Sequence, residues 1–313
     1  MGYRLYRDES VEAGIRRIAT EQVDKVLHEI DDDALDRSET VHQARTRCKK
    51  LRALARLVRP AFPDYRRVNA TYRDAARELS SLRDAQVVVE TVDQLLERFE
   101  GTVDPEAFGG LRENLAELAD TQGSDGEDIE ARIARFRETM ADSRVSITDW
   151  TLSTDGGRAV AAGARKTYRR ARKAMTRAEQ TPTTAVLHEW RKRMKYHWYH
   201  AQLLEGCWPG LIKPWAKAAH RMSDVLGDEH DLAVLHAMLL ADPDRFADED
   251  TLQALSALIE RRRAELRARA FQHGRFLLFD KPKQLEARVR TYFDAWQSPV
   301  EALEFPAPQD VED

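Results

Sequence analysis

Along nearly the whole chain, apolar residues recur three and four positions apart, the spacing that places them on one side of a helix with 3.6 residues per turn. Strand-type alternation, with its enrichment in Val, Ile and Thr, is essentially missing. Such a chain has to fold as packed helices. Ala, Leu, Arg and Glu dominate the periodic stretches, and all four are good helix formers. Clusters of Gly, Pro, Ser and Asp near 59–63, 100–105, 121–128, 153–157, 180–184, 206–210, 241–243 and 280–282 divide it into roughly ten to twelve helices. The long ones are expected at about 9–30, 38–59, 155–179 and 183–205, with Ser38 and Thr184 as caps of the second and fourth.

Looking for self-similarity sharpens the expectation. Setting "VHQARTRCKK" on "LHEWRKRMKY" pairs His42 with His188, Arg45 with Arg191, Arg47 with Arg193 and Lys49 with Lys195. Further along, "LSSLRDAQVVV" sets against "LGDEHDLAVL", pairing Arg83-Asp84 with His230-Asp231, and upstream "GIRRI" sets against "GARKT". The offset stays at 146–149 throughout. Three pairings in one order indicate a duplication: an all-α fold of two antiparallel helical bundles related by a pseudo-twofold axis. The boundaries are then 3–152 for the first half, 153–297 for the second, and 298–313 for an acidic C-terminal tail.

The 42% hydrophobic fraction suffices for cores of that size, while 33% charged residues and a mean hydropathy of −0.61 describe a soluble chain. No apolar run approaches the roughly 20 residues needed to cross a bilayer, and "MGYRLYRDES" lacks the features of a signal peptide. Cys48 and Cys207, far apart, make no disulfide framework and suit a reducing cytoplasm. Cys48 falls on the apolar side of its helix and is expected to be buried.

The net charge of −4 conceals segregation. Residues 100–130 carry ten acidic side chains against one Arg, whereas "GARKTYRRARKAMTR" (163–177) holds seven basic residues and no acid. In "VHQARTRCKKLRALARLVRP" (41–60) seven Lys or Arg follow a His, again with no acid. On a helix, His42, Arg45, Lys49, Arg52 and Arg56 fall within an arc of about 80° along about 21 Å of length. Arg47 points elsewhere, toward the core side, where it is expected to snorkel or to pair with a carboxylate. The second copy aligns His188, Arg191 and Lys195 but places Trp198 and Gln202 where the first has Arg52 and Arg56. A solvated face ordinarily mixes both signs so that i,i+4 pairs form. Five like charges in a row repel one another unless an anion or carboxylates from elsewhere neutralise them, and a linear, repetitive anion suits a stripe one helix long. No P-loop pattern occurs, nor the aromatic-interleaved basic strands of single-strand nucleic-acid binders.

These segments, together with the opening "GYRLYRDESVEAGIRRIATEQ", resemble the CHAD family of conserved-histidine α-helical domains over about residues 3–297. The resemblance implies two bundles about a pseudo-twofold axis, a basic central groove or pore, and non-catalytic binding of inorganic polyphosphate, with no cofactor and no metal. Carried over by position, the polyphosphate-binding residues are His42, Arg45, Lys49, Arg52 and Arg56, with His188, Arg191 and Lys195 opposite. Arg17, Lys166, Arg169 and Arg170, on the first helix of each half, join them as weaker candidates. Many relatives carry a CYTH triphosphate tunnel marked by Glu-x-Glu-x-Lys; that pattern is not found, so a stand-alone module is expected. The implied setting is cytoplasmic, with targeting to polyphosphate granules left open.

Other constellations compete. His197 and His200 at i,i+3 have the spacing to share a metal, but without a third ligand they read better as core histidines. The His-Asp of "DEHD" evokes metal-dependent HD phosphohydrolases; its partner in the first half is Arg83-Asp84, so the repeated element is a cation before Asp, which suits a structural ion pair. The acidic segments argue against duplex nucleic acid, and a helical scaffold binding an acidic protein is the remaining alternative. His42 and His188 are expected to hydrogen-bond the anion, with stronger binding at mildly acidic pH.

Overall fold

The computed structural model describes residues 2–32, 34–79, 84–102, 108–123, 126–246 and 248–298. The regular elements among them are helices: α1 (Val11–Ile30), α2 (Arg37–Leu57), α3 (Tyr65–Glu78), α4 (Asp84–Arg98), α5 (Gly109–Gly123), α6 (Gly126–Ser146), α7 (Gly156–Gln180), α8 (Thr184–Leu203), α9 (Pro209–Ala241), the single turn α10 (Pro243–Phe246), α11 (Glu249–Leu277) and α12 (Pro282–Gln297). Short 3-10 turns follow α6 and α8.

Local chemistry accounts for the helix starts. Ser10 caps α1 by accepting from the Ala13 amide at 3.1 Å, and Asp248 caps α11 by accepting from Thr251 at 2.8 Å. The expected caps of α2 and α8 are corrected. Asp36, not Ser38, accepts from Glu39 at 2.8 Å, and Thr183, not Thr184, accepts from Val186 at 3.4 Å. Each acts one or two residues early because its backbone is extended there, as capping requires. Between the halves, Gly156 takes a left-handed φ of 61°, and the Gly157 amide donates to Asp294 Oδ1 at 2.8 Å. A Cβ on Gly157 would lie 2.4 Å from that oxygen, so the "DGG" turn ties the start of α7 to α12.

Helix α2 packs against α1 and α3 on one side and against α7 and α8 on the other. Helices α7, α8, α9, α11 and α12 pack in sequence around one another, while α4 lies on α5 and on α9. In the register of the sequence repeat, the 33-residue helix α9 corresponds to the stretch that forms α3 and α4. One large apolar core, with Trp150, Trp190, Tyr72 and Tyr168 among its largest fully buried side chains, is accompanied by a small separate cluster of Ala53, Tyr196 and Tyr199. Cys48 is in it, and burial pushes its thiol up to about 12.

Besides histidines, the charged side chains buried among the described residues are Arg56, Glu229 and Arg263. Glu229 on α9 is 1% exposed and takes Arg263 at 3.0 Å and Arg267 at 2.9 Å, both from α11. Glu229→Gln leaves the buried Arg263 guanidinium under-neutralised and is expected to cost about 3 kcal/mol. Urea unfolding measures this, and a loss below about 1 kcal/mol would show that Glu260, which also holds Arg263 at 2.6 Å, suffices alone.

Candidate anion-binding site

The outer face of α2 is not a solvated face. Ala44, Cys48, Leu51 and Ala55 are buried as expected, yet His42, Arg45, Lys49 and Arg52 are themselves half-buried and Arg56 is only 8% exposed. Neighbouring helices cover them. Arg52 Nε donates to Asn69 Oδ1 of α3 at 3.4 Å. Arg56 Nη1 donates to the Tyr65 hydroxyl at 2.7 Å, and its guanidinium lies 4.4 Å from the centre of the Tyr196 ring of α8.

Helix α7 brings further cations to the same place. It crosses α2 so closely that a Cβ on Gly163 would stand 1.7 Å from the Leu57 carbonyl oxygen. One to two turns on, Lys166 and Arg170 come alongside Arg56 and Arg59. The side-chain charges feel one another. Arg59 lies below the usual range because of burial, with Arg170 and Arg56 adding to it. Lys166 is lowered chiefly by Arg59, and Arg170 by burial followed by Arg193 and Arg56. Arg52 is lowered by burial. Among the described residues, Arg56 Nε and Arg59 Nε and Nη2 are buried with no hydrogen-bond partner. A buried guanidinium with open donors is costly, and an anion relieves both the desolvation and the mutual repulsion.

The second stripe is set differently. Its cations are not the nearest neighbours of the first; those come from α7. His188 lies against His230, ring centres 4.1 Å apart, and burial, then His230, Lys192 and Arg191, push it down to about 4. That lowering works against protonation of this residue in the ligand-free protein. Arg191 stacks beside Gly227 and near Asp228 of α9. Lys195 lies 4.5 Å from the Trp198 ring centre and is lowered by burial, with Asp224 opposing. Thus α8 presents its cations to an acidic stretch of α9, whereas α2 presents its own to Tyr65, Asn69 and α7. Lys195 also adds to the lowering of Lys50, which burial and Arg47 carry down to about 8.

Arg17 is corrected outright. Its guanidinium is gripped by Glu9 at 2.6 and 2.9 Å and by Glu21 at 3.1 Å, 3.9 Å over the Tyr6 ring, so it is a structural ion pair. Arg47 pairs with Glu29 and reaches Gln22 Oε1 at 3.3 Å, the second of the two outcomes expected of it. Arg169 is exposed on the outside of α7. Arg83 and the side chain of Asp84 lie outside the described residues, as does the tail beyond Ser298. Asp231 lies beside Asp228, whose carboxyl burial and Asp231 raise. Residues not singled out from the sequence are Arg59, which lies off the arc of the basic stripe, and Tyr65 and Tyr196, which carry no charge signal.

His197 and His200 are core residues, each 2% exposed. His197 lies between Tyr168 and Trp215, ring centres at 5.4 and 4.9 Å. His200 Nε2 donates to the Ala53 carbonyl at 3.0 Å, joining α8 to α2. Burial pushes them down to about 4 and about 3. Since the unfolded chain protonates near 6.5 and the folded one does not, their stabilising effect is complete above pH 6.5 and declines as pH falls toward 4. The slope approaches about 1.4 kcal/mol per pH unit for each. Melting curves from pH 7 to 4.5 test this; His200→Gln, which keeps a donor for Ala53, should flatten the decline, and an unchanged slope would exclude His200 as its source.

Among the described residues, no group of three or more His, Cys, Asp or Glu is placed to hold a metal ion, and no helix is long and apolar enough to cross a membrane. A family model described as CHAD domain matches residues 17–240. No curated protein matches the chain.

Proposed function

The chain belongs to the CHAD domain family, and from that premise we propose that it binds inorganic polyphosphate without chemical turnover, as a cytoplasmic module that can serve polyphosphate granules. The observation that carries this reading is the convergence of Arg52, Arg56 and Arg59 with Lys166 and Arg170, ranging from buried Arg56 to exposed Arg170, mutually repelling and short of carboxylates. Guanidinium forks suit phosphate oxygens, and a chain of them answers several cations at once. CHAD domains are linked with polyphosphate binding in general.

In this reading the two bundles are related by a pseudo-twofold axis near the α2–α8 contact, with the basic groove beside it. The groove is lopsided. Trp198 and Gln202 replace the Arg52 and Arg56 positions, and α9 supplies Asp224 and Asp228. The polyphosphate chain therefore rests mainly on α2 and α7, with His42, Arg45 and Lys49 extending the track and Arg191 and Lys195 contributing less.

Calorimetric titration with long-chain polyphosphate at about 150 mM salt, with triphosphate and duplex DNA as competitors, tests this. Saturable binding that DNA does not displace is expected, with a rise in melting temperature; at 100-fold excess over Kd the gain is about 2.7 kcal/mol. Folded protein that binds no polyphosphate, or binds duplex DNA as tightly, would overturn the proposal.

A further inference from the structure

An apolar cavity of about 480 Å³ opens between α7, the start of α9, the end of α11 and α12. Tyr168, Ile212, Leu285 and Val289 are buried in its walls, while Leu211 and Phe276 line it 42% and 77% exposed. Beside it, Trp208 is 52% exposed and meets Tyr292, another lining residue, with ring centres 4.9 Å apart. This much aromatic and aliphatic surface in one place marks an interaction site rather than scattered exposure. Among the described residues that line it, the one carboxylate, Asp280, already pairs with Arg288. His273 is also in the wall, and exposed Arg269 precedes it by about one helical turn. These walls match an occupant that is apolar and carries carboxylates.

The chain itself supplies one. Helix α12, which forms one wall, stops at Gln297: Ser298 takes an extended ψ of 139°, as a residue before proline prefers, and Pro299 follows. The exit point is fixed. The Ser298 carbonyl accepts from Arg7 Nη2 at 2.8 Å, and Trp296 lies so close to Gly206 that a Cβ there would stand 2.9 Å from its ring. Cys207, the next residue, lines the cavity, so the chain leaves α12 at the Cys207–Tyr292 end of it. The segment that follows reads "PVEALEFPAPQDVED"; it has Val300, Leu303 and Phe305 with Glu301 and Glu304 between them, and no Lys or Arg. The lining residues of α12, Leu285 to Tyr292, lie about 9–20 Å from Ser298 along the helix axis. An extended chain carries Leu303 as far as about 17 Å and Phe305 as far as about 23 Å from Ser298, which spans that length. We propose that residues 300–305 dock in this cavity, Val300 against Tyr292 and Leu303 and Phe305 toward Leu285, with Glu301 and Glu304 facing His273 and Arg269. The chain thereby covers its own apolar face. The inference does not depend on the polyphosphate reading.

Leu303→Asp/Phe305→Asp in the full chain tests it, with the neutral apolar dye Nile red as probe and sedimentation to follow association. The expected result is a several-fold rise in dye emission over the native chain, returned toward the native level by excess peptide of residues 299–313 and lost when Phe276→Asp is added. A second measurement leaves the docking segment unaltered. A glutamate-specific protease should cut after Glu301 and Glu304 several-fold faster in Phe276→Asp, at a position exposed enough to leave folding intact, than in the native chain. Equal dye emission from native and variant chains, or equal cleavage rates, would overturn the proposal. So would a native dimer that dissociates on Phe276→Asp but persists in Leu303→Asp/Phe305→Asp, because a second copy would then be the occupant.

Discussion

Replacing Arg59, Lys166 and Arg170 together by Ala should weaken polyphosphate binding at least about 100-fold and, at low salt, raise the melting temperature of the ligand-free protein. The first effect follows from removing three charge-assisted donors, each worth roughly 1.5–3 kcal/mol when it meets a charged acceptor. The second follows from the cause of their altered acidities. Lys166 is lowered mainly by Arg59; after burial, Arg170 and Arg56 add to the lowering of Arg59, and Arg193 and Arg56 to that of Arg170. Taking three of these charges away relieves repulsion that folding otherwise has to overcome. Arg56 is left in place because it is 8% exposed, holds Tyr65 at 2.7 Å and covers Tyr196, so truncating it confuses lost charge with a cavity. Titration and melting curves on the same preparation decide the matter. A variant that binds as well as the native protein sinks the site; one that melts lower without ligand shows that these cations are paired in ways that stabilise the fold.

Gly163→Ala is expected to cost more than about 4 kcal/mol and to scatter the site with the fold. The added Cβ would stand 1.7 Å from the Leu57 oxygen, 2.4 Å from the Leu57 carbonyl carbon and 2.7 Å from the Arg56 oxygen. These are backbone atoms, which no rotamer change can move aside, so α7 must part from α2 and the overpacking cost exceeds the usual 1–3 kcal/mol. The parting would also carry Lys166 and Arg170 away from Arg59. Gly110→Ala on α5 is the control. Nothing lies within 4 Å of its added Cβ, and alanine there should stabilise by about 0.5–1 kcal/mol. Urea midpoints of the two variants should move in opposite directions; if both rise, the close crossing of α2 and α7 is not what requires glycine.

Some of this was legible in the residues alone. Apolar spacing specified helices to within a few residues, and the wrong caps show its grain. Ser38 and Thr184 have the right chemistry, but extended backbone at Asp36 and Thr183 decides which side chain reaches the amides. The half-turn offset of Arg47 from the basic stripe left it to snorkel or to find a carboxylate, and it pairs with Glu29. Cys48, His197 and His200 read as core residues from their neighbours, and they are buried.

The convergence of charge was not legible in that way. Arg17 looks like Lys166 and Arg170 by position in its repeat, yet Glu9 from the segment before α1 folds back onto it. His188 looks like a groove cation, yet burial first, and then His230 laid against its ring by α9, push its pKa down. Arg59 lies two residues past the observed end of α2, although the expected helix ran to 59, and it meets Lys166 because Gly163 lets α7 cross at Leu57. The sequence by itself determined which helices form and which faces they bury, since periodicity and side-chain chemistry are properties of each segment. Only the tertiary structure decided which cations are answered by carboxylates and which are left for an anion. Electrostatic neutralisation depends on distances of a few ångströms between segments far apart in the chain, and helix crossing sets those distances.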